Sequence, residues 1–361
     1  MSKTTYSVEN YFFGGGKMLK ISGSAFVSIC LLATASLPLE AASEEFYKSK
    51  QIKLIIGSGE ASGVDILGRI AARHLPKHIP GNPVIVSQNM PAPESIAVAN
   101  HVYNIAAPDG LTIGAGSAGL FSRAISQPNI RFDLNKFTWL SNIYSATVII
   151  WMRTDFPCQT FETLKSCPVP LKFSATARGS TGYGLVPELL KDAMKMNMDI
   201  IYGYRNADAD LAVARGETHA SGGDLIGFMG GGSVQLMNEK KVKILVQVAG
   251  RKSPQLEQLD TTWAMDVVPD EHKKLFSMLN PILDLARPYF TAPDTPKDRT
   301  EILRTAFVKL VEDQAFREEV ARVARIEPTL TAGAEMADQI RAMLNQPEDV
   351  RKRVIELLQG N

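Results

Sequence analysis

Apolar and polar residues along the chain fall into two rhythms. Short apolar runs at Ile52–Ile56, Pro83–Gln88, Leu111–Ala115, Val148–Met152, Leu171–Ser174, Asp199–Tyr202, His219–Gly222 and Val242–Val248 read as strands. Between them apolar residues recur every three or four positions over Val64–Leu75, Glu94–Ile105, Gly182–Met196, Ala207–Arg215 and Ser233–Lys240, as in helices with one buried face. Strands alternating with helices predict an α/β protein with largely parallel sheets. After Asp294-Thr295-Pro296 the rhythm is mostly helical, in Lys297–Asp313, Gln314–Arg325 and Ala334–Leu344. Ser141–Thr147 and Val248–Arg251 bracket a compact α/β block. This predicts a second lobe (146–249) inserted into a first lobe made of 44–145 plus 250–361.

The first 43 residues follow neither rhythm. Lys17 and Lys20 precede the apolar segment "ISGSAFVSICLLATASLPL", and "LEAAS" then supplies the small residues a signal peptidase needs. The pattern predicts a secretory signal peptide cleaved near Ala41 to Ser43, with Met18 offering a second start. An uncleaved anchor is the rival. The Ser, Thr and Gly that dilute the run, and the small residues that end it, favour the signal. Cys30 follows Ile29 where a lipoprotein signal would carry a small residue, so no lipid anchor is expected.

Composition narrows the picture. The 361 residues are 45% hydrophobic and 21% charged, a globular balance with room for two domains. Net charge is +1. Losing Lys3, Lys17, Lys20, Glu9 and Glu40 with the leader makes the remainder formally neutral, which argues against a broad nucleic-acid surface. Cys158 and Cys167 remain, bracketing "QTFETLKS". An oxidising compartment favours a local disulfide, with two unpaired thiols as the alternative. Two cysteines with no histidine nearby in sequence are too few for structural zinc, and no metal or cofactor is expected.

Two loops carry the candidate chemistry. After the first strand comes Gly57-Ser58-Gly59-Glu60-Ala61-Ser62-Gly63-Val64-Asp65, then a helix. It lacks the closing Gly-Lys-Ser/Thr of a P-loop and the glycine spacing of a dinucleotide fingerprint. Small residues with free backbone N–H groups at a helix start suit a carboxylate. An ordinary strand-to-helix turn explains them equally well. The second loop, "FSATARGSTGYGLVPELL", runs through Ser174, Thr176, Gly179, Ser180, Thr181 and Gly182 into another helix. Two such loops in separate blocks could hold one ligand in a cleft between them. Two unrelated turns are the plainer alternative.

Catalytic sets do not assemble. His74 and His78 sit four apart but lack a third ligand, and G-x-S-x-G is absent. Asp208 and Asp210 read as a solvated helix start as readily as a cation site, and Gly227–Leu236 reads as a flexible turn before a helix. Tyr202 and Tyr204 suit either a cleft wall or a core.

Taken together, the Asp65-x-x-x-Arg69 step, Gln88-Asn89-Met90-Pro91, Ala107-Pro108-Asp109-Gly110, "SATARGSTGYG", "YGYRNADADLAVARGETHASGGD" and "YFTAPDTPKDRTEILRTAF" resemble, in order, the solute receptors of tripartite tricarboxylate transporters, the Bug family of periplasmic binding proteins. The resemblance runs over roughly the whole mature chain. It implies a two-lobed α/β fold of the type 2 "Venus flytrap" kind, each lobe a mixed sheet flanked by helices. It also implies a periplasmic monomer without catalysis that traps a small carboxylate and passes it to membrane permease subunits. Carried over by position, Ser58, Gly59, Ala61, Ser62 and Asp65 line the first lobe, joined by Ser117 and Ala118. Thr176, Gly179, Ser180 and Thr181 line the second, with Tyr204, Arg205 and Asp224 near its later strand ends.

Departures from the family pattern bear on the ligand. Ala61 and Ser62 stand where two glycines are common, Glu60 adds a negative charge, and Ala92-Pro93-Glu94 replaces Gly-Ala-Gly. A ligand with an ammonium group, or a neutral one, is admitted if Glu60 faces the cleft. A secreted hydrolase and a binding protein that serves a sensor remain the alternative functions.

Overall fold

The structure is a computed structural model that describes residues 46–60, 62–126, 130–176, 180–230 and 232–359; the expected leader, Ala61 and Gly179 lie outside the described residues. The chain opens with β1 (Gln51–Ile56), α1 (Gly63–His74), β2 (Val84–Asn89), α2 (Ile96–Asn104), β3 (Thr112–Ala115), α3 (Gly119–Ser126) and β4 (Thr138–Asn142). A second run follows: β5 (Val148–Arg153), α4 (Phe161–Lys165), β6 (Leu171–Ser174), α5 (Val186–Met194), β7 (Met198–Ile201), α6 (Asn206–Ala214), β8 (Ala220–Asp224), α7 (Leu225–Gly230), α8 (Ser233–Asn238), β9 (Val242–Val248) and β10 (Thr262–Trp263). Next come α9 (Ala264–Val267), α10 (Asp270–Asp284), β11 (Pro288–Thr291), α11 (Lys297–Glu312), α12 (Gln314–Ala324), β12 (Thr331–Ala332), α13 (Gly333–Leu344) and α14 (Glu348–Gln359).

These strands make two six-stranded sheets, ordered β12-β4-β11-β3-β1-β2 and β10-β9-β5-β8-β6-β7. In the first sheet β11 pairs antiparallel with β3 and β4, and the edge strand β12 antiparallel with β4; in the second, β5 pairs antiparallel with β8 and β9. The sheets are mixed, as a two-lobed α/β fold requires. The chain passes from the first sheet to the second through 143–147 and returns between Trp263 and Pro288.

The apolar rhythm explains most of this. β5, the run VIIWMR, is buried at every position but its last because it is central and covered on both faces. Its Trp151 packs tilted against Phe228, while Ile150 joins the larger core. In the first sheet Phe137, Trp139 and Phe290 form one aromatic nest, with Trp139 also 5.8 Å from Phe121. Phe290 lies opposite Gly114, where a Cβ would meet its ring at 2.6 Å, so the glycine makes room for the aromatic.

The structure departs from the sequence pattern in several places. β4 (TWLSN) and β11 (PYFT) mix polar residues into short strands and leave no continuous apolar run. The helix expected from Glu94 begins at Ile96, because Glu94 and Ser95 both take left-handed φ, 55° and 61°. The helix expected from Gly182 opens as a π turn over Thr181–Leu185, in which Ser180 O accepts from both Gly184 and Leu185 N–H (2.8 and 2.9 Å). Gly227–Gly230 is helical within α7 rather than a turn. Cys158 and Cys167 are joined in a disulfide across α4, with their Cα atoms 6.0 Å apart. Among the described residues no helix is long and apolar enough to cross a membrane.

Candidate ligand-binding site

The loop after β1 is fastened from below. Ser62 caps α1, its Oγ accepting the Asp65 N–H at 3.2 Å, and Ser58 Oγ lies 2.7 Å from Ser62 Oγ. Asp65 is 4% exposed. Its Oδ1 accepts from Arg69 Nε and Asn89 Nδ2, both at 2.8 Å, and Arg69 Nη2 donates to Asn89 Oδ1 at 2.6 Å. Asn89 Nδ2 also reaches Ser58 O at 3.0 Å. The Asp65–Arg69 step and Asn89 therefore form a brace that fixes the loop's backbone. Gly59 and Glu60 stand exposed above it.

Ser117 and Ala118 lead into α3. Ser117 is tied to Ser95, whose Oγ accepts the Ser117 N–H at 3.0 Å and lies 3.1 Å from Ser117 Oγ and 2.9 Å from Gly57 O. Ser95 thus joins the first loop to the third. Beside it, Glu94 lies against the start of α3: a Cβ on Gly119 would come within 1.3 Å of its Oε2. Burial pushes the Glu94 carboxyl up from its usual range, against the pull of Arg123.

The second loop lies directly on β8. A Cβ on Gly182 would meet Gly223 Cα at 2.9 Å, and one on Gly222 would meet Gly182 O at 2.9 Å. Only glycines permit this approach, which explains the "SGGD" strand. Thr176 O accepts the Gly203 N–H at 3.0 Å, and Ala175 O the Tyr204 N–H at 3.2 Å. Ser180 and Thr181 begin the π turn, half-buried. Arg205 points outward, 89% exposed, and pairs with Asp208 at 2.7 Å.

The two loops meet at a pair of charges. Asp224 ends β8, and its Oδ1 accepts from Tyr144 OH at 2.8 Å. Its Oδ2 lies 3.6 Å from Arg287 Nη2, the residue before β11. That guanidinium stacks 5.4 Å over the Tyr144 ring, and a Cβ on Gly63, the first residue of α1, would meet Nη2 at 2.9 Å. On the far side of Asp224, Tyr183 of the π turn packs on Gly223. Gly63, Arg287, Asp224, Gly223 and Tyr183 thus form one line from the first loop to the second. Burial pushes the Asp224 carboxyl up despite Arg287 and the Tyr144 hydroxyl, and raises the Tyr183 and Tyr144 hydroxyls as well.

Of the expected residues, Asp224 stands at this junction, Ser62 reaches it through the capped start of α1, and Ser180 and Thr181 open the turn that carries Tyr183. Tyr144 and Arg287 escape sequence reasoning, since neither lies in a small-residue loop; their one signal is position, in a crossing segment and beside a strand start. Among the described residues no cluster of His, Cys, Asp and Glu is suited to a metal ion.

No protein-family model matches the chain, and no curated protein matches it in sequence. Solved structures do match in shape. A TctC solute-binding protein from Polaromonas superposes with a TM-score of 0.65 at 18% identity, over 87% of this chain and all of that one (100%). MatC from Rhodopseudomonas palustris, solved with bound malate, gives 0.61 at 17% identity, over 86% and 99%. A second Rhodopseudomonas palustris protein, solved with adipate, gives 0.62 at 20% identity, over 84% and 97%. The fold is that of the two-lobed periplasmic binding proteins. Asp224 ends β8 of the second sheet and Arg287 precedes β11 of the first, so their 3.6 Å approach joins the two sheets.

Proposed function

We propose that the chain is a periplasmic solute-binding protein, exported by its N-terminal signal. It holds a small carboxylate-bearing solute between two lobes, one built on each sheet, and delivers it to membrane permease subunits of the tripartite tricarboxylate type. The observation that carries this is the convergence of two small-residue loops from different sheets on one pair of partly buried charges. The loop after β1 and the start of α1 supply backbone N–H groups, and Arg287 a fixed positive charge. The second loop closes from the other side. Ser58, Gly59, Ala61, Ser62, Ser117, Ala118, Thr176, Gly179, Ser180, Thr181 and Tyr204 are the proposed walls. Asp65 acts through the brace, and Arg205 sits at the rim. Similar proteins solved with malate and adipate support a carboxylate.

A thermal-shift screen of the purified protein against C3 to C6 carboxylates and amino acids tests this. A true ligand at a hundred times its Kd adds about 2.7 kcal/mol to stability. Chemical conversion of a hit during incubation would show an enzyme instead, and a flat screen would refute the carboxylate proposal.

A further inference from the structure

The charges at the junction are arranged poorly for each other. Asp224 and Arg287 are separated by 3.6 Å, longer than a hydrogen bond, although their side chains are only 26% and 12% exposed. Arg287 Nε is buried without a hydrogen-bond partner among the described residues. Its Nη1 is spent on Ala286 O at 2.8 Å. Charges withdrawn from water are stable only when well paired, so a loose pair with an orphaned Nε is incomplete. The two groups also come from different sheets, so a molecule placed between them touches both lobes.

Their surroundings are polarised. On the Arg287 side lies Gly63, whose N–H begins α1 and adds the partial positive charge of a helix start. On the Asp224 side, the Tyr183 ring packs on Gly223, the residue before Asp224. A further helix start beside the first sheet, at Gly119, already has the Glu94 carboxylate against it. A second ligand carboxylate there would meet a like charge.

We infer that the site is built for a zwitterion, an amino acid rather than a plain carboxylic acid. Arg287 and the start of α1 take its carboxylate, and Asp224, oriented by the Tyr144 hydroxyl, takes its ammonium group. Asp224 and Arg287 are then the residues that set specificity. In the absence of ligand each stands in for the group the other awaits. This deepens the solute-binding proposal and rests on it.

The test is calorimetric titration of the purified protein with the common amino acids, each against the acid that lacks its α-amino group, such as L-aspartate against succinate and L-alanine against propionate. The amino acid of the best pair should bind at least about tenfold tighter than its partner, as loss of one charge-assisted hydrogen bond implies. Asp224→Asn should bring that ratio toward one, and Arg287→Gln should weaken the amino acid by about tenfold or more. Tyr144→Phe, which keeps the ring and the charge pair, should lower the ratio part-way and guards against a misfolded Asp224 variant. A des-amino acid that binds as tightly as its amino acid, or a ratio unmoved in both Asp224→Asn and Tyr144→Phe, would overturn the zwitterion assignment while leaving the solute-binding proposal intact. No binding by any member of any pair would sink both.

Discussion

The brace under the first loop allows a quantitative test. Asp65→Ala removes the acceptor shared by Arg69 and Asn89. The bond from Asn89 goes to a buried charged acceptor and contributes about 1.5–3 kcal/mol. Arg69 is 41% exposed, so its pair with Asp65 is screened and adds only about 0.2–1 kcal/mol. A carboxylate in the first turn of α1 contributes about 0.3–1 kcal/mol through the helix dipole. The three effects share one atom group and overlap, so the expected loss is about 2–4 kcal/mol. Urea unfolding followed by far-UV circular dichroism measures it, provided the slope m is unchanged. Because Asn89 also tethers Ser58 O, the variant should weaken ligand binding while preserving the order of preference among ligands. A loss under about 1 kcal/mol would refute the brace. So would strict additivity with Asn89→Ala, since residues in one hydrogen-bond network couple by about 0.5 kcal/mol or more.

Three further outcomes are expected. Replacing Cys158 and Cys167 with serine opens a loop closed at a sequence separation of 9 and should cost about 2–3 kcal/mol in the same unfolding assay. Acid should loosen α1 from α12. Burial pushes Asp313 up, but hydrogen bonds from Lys77, His78 and the Ala315 N–H outweigh it and hold the carboxyl well below its usual range; hydrogen bonds from His74, then Arg73, lower Glu319 against a smaller burial effect. Carboxyls depressed in the folded state add stability that is present above about pH 4 and lost as pH falls through their folded values, so the Asp313→Asn, Glu319→Gln double variant should lose less stability than the parent between pH 5 and pH 2. Asp210 has the opposite sign. Burial raises it to about 7 despite Ser233, so the parent's stability falls as pH rises from about 4 to 7, and Asp210→Asn should gain in Tm relative to the parent at pH 8 but not at pH 4.

Most of the fold was legible because burial imposes a rhythm on the sequence. Eight expected strands and the helices between them appear within one to three residues of their places, apart from the two helices that begin late. β4 and β11 were not legible. Their polar residues are buried for reasons that lie elsewhere in the chain: Asn142 donates to Asp284 O and accepts the Arg287 N–H, and Thr291 donates to Thr112 O. No local pattern announces such a bond. The two loops were legible from small residues at helix starts, although Asp65 proves to be a brace for the loop. Arg287 and Tyr144 were not, because their meaning depends on the return of the chain from one sheet to the other.

That return also decides where a site can form. β1 lies between β2 and β3, and β6 lies between β7 and β8, so in each sheet the chain turns to opposite sides after its first parallel strand. A crevice opens outside the carboxyl end of such a strand whatever residues fill it. The loops after β1 and β6 lead from those two crevices. Ligand preference then has to come from residues that topology does not dictate. The antiparallel return strands supply them. Arg287 immediately precedes β11, and β5 follows Tyr144 and pairs Val148 with Asp224. Each charge is set beside a crevice by the strand that runs against the others. On the zwitterion proposal, a change in ligand class requires substitutions at these strand ends and leaves the two loops, and the fold that aligns them, as they are.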